Sequence, residues 1–362
     1  MALPKHVQDK RNKLVEQVIK DIESGKPFFW DCQHYGKRPR NLLKAVKGED
    51  VYYKGINSMQ LTLSSKQNGF TDSRWATFKQ AQMVGGKIKK GAKGTHIEYW
   101  QYTIDEMKIN PQTGKKEPVY ITDPKTGQKK KSQIPLEHPI VKSYVVFNGD
   151  QIEGIPKEEQ TVTIKQEDIN YIMENMLKRS EAKIYYDQSN SNFYRPSEDT
   201  IHVMPREKFK TLDAFYATCS HEIAHSTGAE HRLNRSTMKN LTGFGSTEYA
   251  KEELRAEMTS MFIQQKYNIR FGQEHYENHA AYLKSWANVL RNDPNELYRA
   301  AADAEKAMNY IETHMMTKKL LKARTVSLKA EPEIQPPKKI KRKLTLPKQS
   351  QKTKSKQRCL TR

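Results

Sequence analysis

The sequence has no long hydrophobic run, and this absence excludes whole classes of protein. Only 36% of its 362 residues are hydrophobic, the mean hydropathy is -0.90, and no stretch is long enough to cross a bilayer. The first residues also lack the charged and apolar regions of a secretory signal. We therefore expect a cytoplasmic protein with no membrane partner.

Cysteine is scarce and unpaired. Cys32, Cys219 and Cys359 lie far apart, and no CxxC pair occurs. An odd number of isolated cysteines is typical of a reducing compartment and unlike a disulfide framework or a cysteine-based zinc finger.

Charge is abundant and unevenly distributed along the chain, with a net value of +21. Residues 1–150 hold 27 Lys+Arg against 15 Asp+Glu (+12), residues 151–317 hold 20 against 25 (-5), and residues 318–362 hold 16 against 2 (+14). The two basic parts favour a polyanion as partner. The competing interpretation is that these lysines form only a solvated surface.

Composition and turn signals predict three parts, and the predicted fold class is α+β. Residues 1–155 read as an α+β domain, with a helix over 7–23, a helix capped by Ser73 and ending at Gly85, and several strands. Residues 156–317 read as a second, mostly helical domain with a small sheet. Residues 318–362 are lysine-rich, have little that could form a core, and are predicted to be a disordered tail.

The front part contains a repeated turn sequence. NPQTGKK at 110–116 is echoed by DPKTGQKK at 123–130, and PVYIT between them reads as a short strand. Each copy is a Pro/Gly turn followed by lysines, so we expect an inserted hairpin excursion.

Lysines also alternate with aromatic residues in this front part. Phosphates attract cationic side chains and unstacked bases stack on aromatic rings, so the pattern predicts binding of single-stranded DNA, and duplex DNA is a further possible partner. The aromatic residues of this pattern are Trp75, Phe78, Tyr99, Trp100 and Tyr102. The candidate contacts are Trp75, Lys79, Lys87, Lys89, Lys90, Lys93 and Trp100. The alternative is that most of these aromatic rings belong to a small core.

The stretch HEIAHSTGAEH, residues 221–231, carries the clearest chemical signal. Apolar residues at helical spacing predict a helix that begins after Thr211 and ends before Gly228. His221 and His225 then project from one face, where two imidazoles can share one Zn²⁺ ion.

Glu222 lies beside these two histidines and can act as the general base of a hydrolase. Strands predicted at 183–187 and 199–205 precede the helix, in the order that a zincin site needs. The motif therefore predicts a zinc metallopeptidase centre.

The third metal ligand is left open by the spacing alone. The stretch also fits H-E-x-x-H-x-x-G-x-x-H, in which His231 would be the ligand. The competitor is an acidic helix at 249–265, where Glu253 and Glu257 lie one turn apart and one acid could orient a ligating histidine. No clear Met-turn supports the first alternative.

Specific motifs across residues 7–313 resemble the ArdC-type antirestriction proteins of conjugative plasmids, which are related to the N-terminal part of TraC-type plasmid primases. The motifs are ESGKPFFW, RPRNLL, YKGIN, WATFKQAQMVGGKIKKGAKGT, VVFNGDQIEGIP, HVMPREKF, FYATCSHEIAHSTG, HRLNR, FGS, YAKEELRAE, AYLKSWANVLRNDP and RAAADAEKA. The sequence departs from the expected TGH after the second histidine, since Ala229 follows Gly228.

The resemblance implies an N-terminal domain that binds single-stranded DNA and a zincin-like metallopeptidase domain that acts on a protein such as a restriction-system subunit. It implies protection of incoming plasmid or mobile-element DNA from host restriction. Similarity to gluzincin-related sites implies that Glu253 is the third ligand and that Glu257 supports a ligating histidine. A DNA-binding shield with a silent metal site and a protease for DNA–protein crosslinks stay as alternatives.

Overall fold

The computed structural model of the chain describes residues 3–24, 38–124, 126–158, 166–240, 243, 245–267 and 274–316. The predicted disordered tail lies outside these residues. The described part combines helices with several small sheets, which confirms the α+β class.

The first helix follows the predicted apolar stripe. Val7, Leu14, Val18 and Ile22 recur at helical spacing and are all buried in α1. The described helices of the front part are α1 (Lys5–Glu23), α2 (Leu42–Ala45), α3 (Gly55–Asn68) and α4 (Phe78–Met83).

A four-stranded sheet forms the centre of the front part, with strand order β1-β2-β9-β4. Strand β1 is parallel to β2, and the other pairings are antiparallel. A second pair joins β3 to β10. The strands concerned are β1 (Arg40–Asn41), β2 (Arg74–Thr77), β3 (Lys87–Ile88), β4 (Thr95–Asp105), β9 (Gln133–Asn148) and β10 (Ile152–Glu153).

The helix predicted to begin at Ser73 is wrong in its first half. Residues Arg74–Thr77 form β2 instead, because this segment pairs with β9 and buries Trp75 and Ala76 between layers of the fold. The helix starts only at Phe78, where Thr77 and Gln80 form a reciprocal capping box.

The repeated turn sequence forms two similar hairpins between β4 and β9. In each, an Asn or Asp begins the turn and a left-handed Gly closes it: Gly114 N–H donates to Asn110 O, and Gly127 N–H donates to Asp123 O. The predicted strand PVYIT is divided at Val119 between the two hairpins. The hairpin strands are β5 (Met107–Ile109), β6 (Lys116–Pro118), β7 (Tyr120–Thr122) and β8 (Lys129–Lys131).

The rest of the chain places a three-stranded sheet beside long helices, and its strand order is β11-β13-β12. The elements are α5 (Gln166–Lys178), β11 (Lys183–Tyr185), β12 (Phe193–Arg195), β13 (Thr200–His202), α6 (Leu212–Ser226), α7 (Ser236–Lys239), α8 (Thr247–Tyr267), α9 (Glu274–Asn292) and α10 (Glu296–His314). The sequence patterns indicated β11 and β13 but missed β12.

One apolar core joins helices from both sides of the predicted boundary at residue 155. It includes Val18 of α1, Met59 of α3, Phe215 of α6 and Met308 of α10. The contacts group Met1–Leu320 as one unit. The division into domains at 155 stays a prediction.

None of the helices in the described part of the chain combines the length and the hydropathy that crossing a membrane requires.

Candidate metal centre

Helix α6 carries the HExxH motif and begins where the sequence predicts. Thr211 caps it by accepting the backbone N–H of Ala214 at 3.1 Å. His221 and His225 are one turn apart and both are buried. Their ring centroids lie 4.7 Å from each other, so the two imidazoles project into the same space beside the helix.

Helix α8 packs against α6 and supplies the third donor group. Oε2 of Glu253 lies 3.3 Å from Nε2 of His221, and Oε1 lies 3.4 Å from Nε2 of His225. The two Nε2 atoms are 3.1 Å apart. Donors at about 2.0–2.1 Å from a tetrahedral Zn²⁺ lie roughly 3.3–3.4 Å from one another. The cluster therefore fits a divalent ion in both spacing and donor type.

Ionisation of Glu253 is consistent with a ligand role. Burial opposes a charge on this carboxyl, but His225 and His221 outweigh that effect and hold its pKa well below the usual range. A carboxylate that stays ionised in a buried site can coordinate a cation.

Glu222 lies next to the cluster and lines the same cleft. The cleft has a volume of about 890 Å³ and is also lined by Phe193 and Tyr194 of β12 and by residues 189–192. The backbone amide of Tyr194 donates to the Glu222 carboxylate, while burial raises the pKa of Glu222. A raised pKa suits a group that accepts and later returns a proton.

Each of the two histidines has a carboxylate beside its other ring nitrogen. Nδ1 of His221 lies 3.2 Å from Oε2 of Glu257, the carboxylate that the resemblance offers as a supporting partner. Nδ1 of His225 lies 3.4 Å from Oε1 of Glu252, a role that the sequence did not reveal. Such partners fix the orientation of a ligating imidazole and increase its basicity.

Buried Arg235 in turn holds Glu252. Its guanidinium donates to both carboxylate oxygens of Glu252, and it also donates to Thr227 Oγ1 at 2.6 Å and to the carbonyl of Ala224 at 2.8 Å. Burial opposes the charge on Glu252, but Arg235 and His225 lower its pKa to about 2. Arg235 thus ties the end of α6 to α8.

Gly228 leaves the space that this guanidinium occupies. A Cβ atom built on Gly228 would lie 2.7 Å from Nη2 of Arg235. Position 228 therefore requires a glycine, because the Arg235 side chain packs closely against its backbone. Arg235 ends HRLNR, residues 231–235, which is one of the motifs that carry the resemblance. The sequence did not show what the Arg235 side chain contacts.

We expect Arg235→Gln and Gly228→Ala to weaken metal binding in the same way. Both changes remove the guanidinium from Glu252, which leaves His225 poorly oriented, and loss of such support typically costs about 10–100-fold in metal affinity. Titration of the purified chain with Zn²⁺ against a chelating dye measures this. Arg195→Gln is the matched control, because the Arg195 side chain is 41% exposed and pairs with Glu198, which is not one of the three donor groups. Wild-type affinity in both test variants would contradict the assignment.

His231 lies outside the cluster. Its side chain is 62% exposed, and Nε2 lies 3.3 Å from Oδ2 of Asp199. Its neighbour Arg232 is the buried member of this region, and it donates to Asp199, Glu181 and the carbonyl of Ser226. The geometry therefore favours Glu253 over His231 as the third ligand.

The predicted DNA contacts are divided between surface and interior. Lys79, Lys87, Lys89, Lys90 and Lys93 are all exposed. Trp75 is fully buried and packs edge-on against Phe70, so the prediction that its ring contacts DNA is wrong. Trp100 is half-buried, with Nε1 donating to Glu98 and the guanidinium of Arg11 at 5.8 Å from its ring.

Comparison with known proteins matches both halves of the chain. Residues 8–147 match the family described as the N-terminal domain of anti-restriction factor ArdC, and residues 172–303 match a zincin-like metallopeptidase family. Two Escherichia coli proteins named DNA primase TraC are 39% and 41% identical over 302 residues, which is 83% and 82% of this chain. The chain spans only 26% and 19% of the length of these two relatives.

Two solved structures of an ArdC protein also match this chain. The metal-free crystal structure of antirestriction ArdC protein from the R388 plasmid has a TM-score of 0.62 and 26% identity, and covers 84% of this chain and 97% of its own. A Mn(II)-bound structure of the same protein matches with the same TM-score and 25% identity. With an ArdC N-terminal domain followed by a zincin-like metallopeptidase domain, the chain belongs to the ArdC-type antirestriction proteins.

Proposed function

We propose that this chain binds single-stranded DNA through its front part, carries a zinc-dependent peptidase centre, and protects incoming plasmid or mobile-element DNA from host restriction. The observation that carries the proposal is the placement of Glu222 beside the three donor groups of His221, His225 and Glu253 in one cleft. Its substrate is a protein met at or near DNA, such as a subunit of a restriction system.

The cleft suits an extended peptide. Strand β12 is an edge of its sheet within the described residues and contributes Phe193 and Tyr194 to the cleft wall. A peptide laid along this edge can form main-chain hydrogen bonds as an added strand. The bond to be cut then lies near Glu222, because Tyr194 also contacts the Glu222 carboxylate.

The residues around the cluster support general acid–base chemistry. A Zn²⁺ ion held by two imidazoles and one carboxylate supplies Lewis acidity. Glu222 accepts a proton from the attacking water and then passes it to the leaving amine. Zinc is our choice of metal because nitrogen and oxygen donors at tetrahedral spacing suit it, and the Mn(II)-bound relative makes manganese the competitor to test.

The front part has the charge that DNA binding needs. Its net charge of +12 over residues 1–150 and its exposed lysines favour contact with phosphates. Such binding releases counterions, so affinity falls steeply as salt is added.

Conjugal transfer into a restricting recipient tests the proposal. A plasmid with sites for the host enzyme should survive better when the wild-type chain is produced than when the vector is empty, and both should transfer equally into a recipient without that enzyme. We expect purified chain to bind an oligonucleotide with an affinity that drops about 10-fold or more between low and moderate salt. Equal survival with chain and empty vector would contradict the protective function.

A further inference from the structure

The long β4–β9 ribbon has one covered face and one open face. Residues paired directly across antiparallel strands lie on the same side of a sheet. Tyr99 pairs with Lys142, Gln101 pairs with Ile140, and Ile97 pairs with Tyr144. These side chains therefore share one side, and the intervening residues of each strand lie on the other.

Helices α1 and α10 cover the other side. Lys10 of α1 contacts His96 and Ser143, at 3.1 and 3.0 Å. Arg11 binds both oxygens of Glu98 and stacks over Tyr298 of α10. Trp100 belongs to this covered side, which explains why its ring is half-buried.

The open side carries a cluster of exposed aromatic and apolar residues around a lysine. We call it the tyrosine face, formed by Tyr99, Gln101, Ile140, Lys142 and Tyr144. Tyr99 is 54% exposed, Tyr144 is 42% exposed, and their rings meet edge to face with centroids 6.2 Å apart. Ile97 and Val146 lie on the same side but are buried in a cluster with Leu61 of α3, so this side of the ribbon is open only beyond them.

We propose that the tyrosine face is the stacking platform for single-stranded DNA, an inference that rests on the DNA binding proposed above. Each of the two exposed rings can stack with one base, and Lys142, directly opposite Tyr99, can contact the phosphate between the two bases. The cationic Lys142 within this face favours a polyanion as its occupant. Tyr99 is one of the aromatic residues that the sequence pattern indicated, whereas Tyr144 was not.

Fluorescence anisotropy with the full chain and an oligonucleotide of about twenty thymidines tests the assignment. We expect Tyr99→Ala and Tyr144→Ala each to weaken binding roughly 10-fold or more, whereas Tyr99→Phe keeps the ring and the affinity. Lys142→Gln should reduce the slope of log affinity against log salt by about 0.7. Tyr120→Ala is the matched control, since Tyr120 is 59% exposed but lies on β7 away from this face.

Two results would overturn the assignment in distinguishable ways. If wild type binds the oligonucleotide and both alanine variants bind within about two-fold of it, the platform lies elsewhere while the proposed function stands. If wild type itself does not bind, the platform and the DNA-binding part of the proposed function fail together. Circular dichroism of each variant ensures that a loss of binding is not a loss of fold.

Discussion

Replacing Glu222 with Gln should slow peptide hydrolysis by orders of magnitude and leave the metal in place. Gln has nearly the same shape and keeps an oxygen that can accept the Tyr194 amide, but it cannot take up a proton at neutral pH. General acid–base catalysis contributes about 10²–10⁴-fold to a rate, so we expect a loss in that range. If protection depends on hydrolysis, restriction survival falls to the level of an empty vector.

The measurement compares zinc content, oligonucleotide affinity and restriction survival for wild type and Glu222→Gln. Glu230→Gln is the matched control, because Glu230 is 84% exposed and undergoes the same chemical change. We expect zinc content and DNA affinity to be unchanged in both variants. Full protection by Glu222→Gln would contradict the hydrolase proposal. It would favour a protein that protects DNA by coating it.

Loss of Glu253 should release the metal, whereas loss of His231 should not. Glu253→Ala removes one of three donors and leaves two imidazoles, so we expect a fall in affinity well beyond the roughly 10–100-fold typical of a supporting residue. Glu257→Gln should fall within that smaller range, because Glu257 acts through Nδ1 of His221. His231→Ala should bind like wild type, because His231 is exposed and faces Asp199.

Metal analysis after dialysis distinguishes these cases and identifies the ion. Purified wild type, Glu253→Ala, Glu257→Gln and His231→Ala are loaded with Zn²⁺ or Mn²⁺ and dialysed side by side. Retention of metal by Glu253→Ala together with its loss from His231→Ala would reverse the ligand assignment.

The outcome at the site shows which features a sequence pattern can predict. HExxH spacing places His221, Glu222 and His225 on adjacent turns of one helix, since helical periodicity is a local property. The pair Glu253 and Glu257 was equally visible on α8, although the spacing alone could not choose between them. Arg235 was not visible as a functional residue, because its partner Glu252 is on another element.

In the front part, too, local sequence patterns predict some features of single residues, and the packing of distant elements decides others. Alternation along a strand predicts that Tyr99 and Trp100 face opposite sides of β4. Which side faces solvent depends on α1 and α10, whose contacts with Glu98 and Tyr298 come from distant parts of the chain. Trp75 was therefore misplaced as a DNA contact, and β2 was mistaken for the start of a helix.

The sequence by itself determined the α+β class, the resemblance to ArdC-type proteins, the HExxH helix with its Thr211 cap, and the basic character of the front part. Each of these depends on residue type and short-range spacing. Only the tertiary structure showed that Glu253, which the resemblance had indicated, lies beside the two histidines while His231 does not, that Gly228 makes room for Arg235, and that the tyrosine face is open. Those features arise where separate elements pack, and the contacts between such elements are set by the folded chain as a whole.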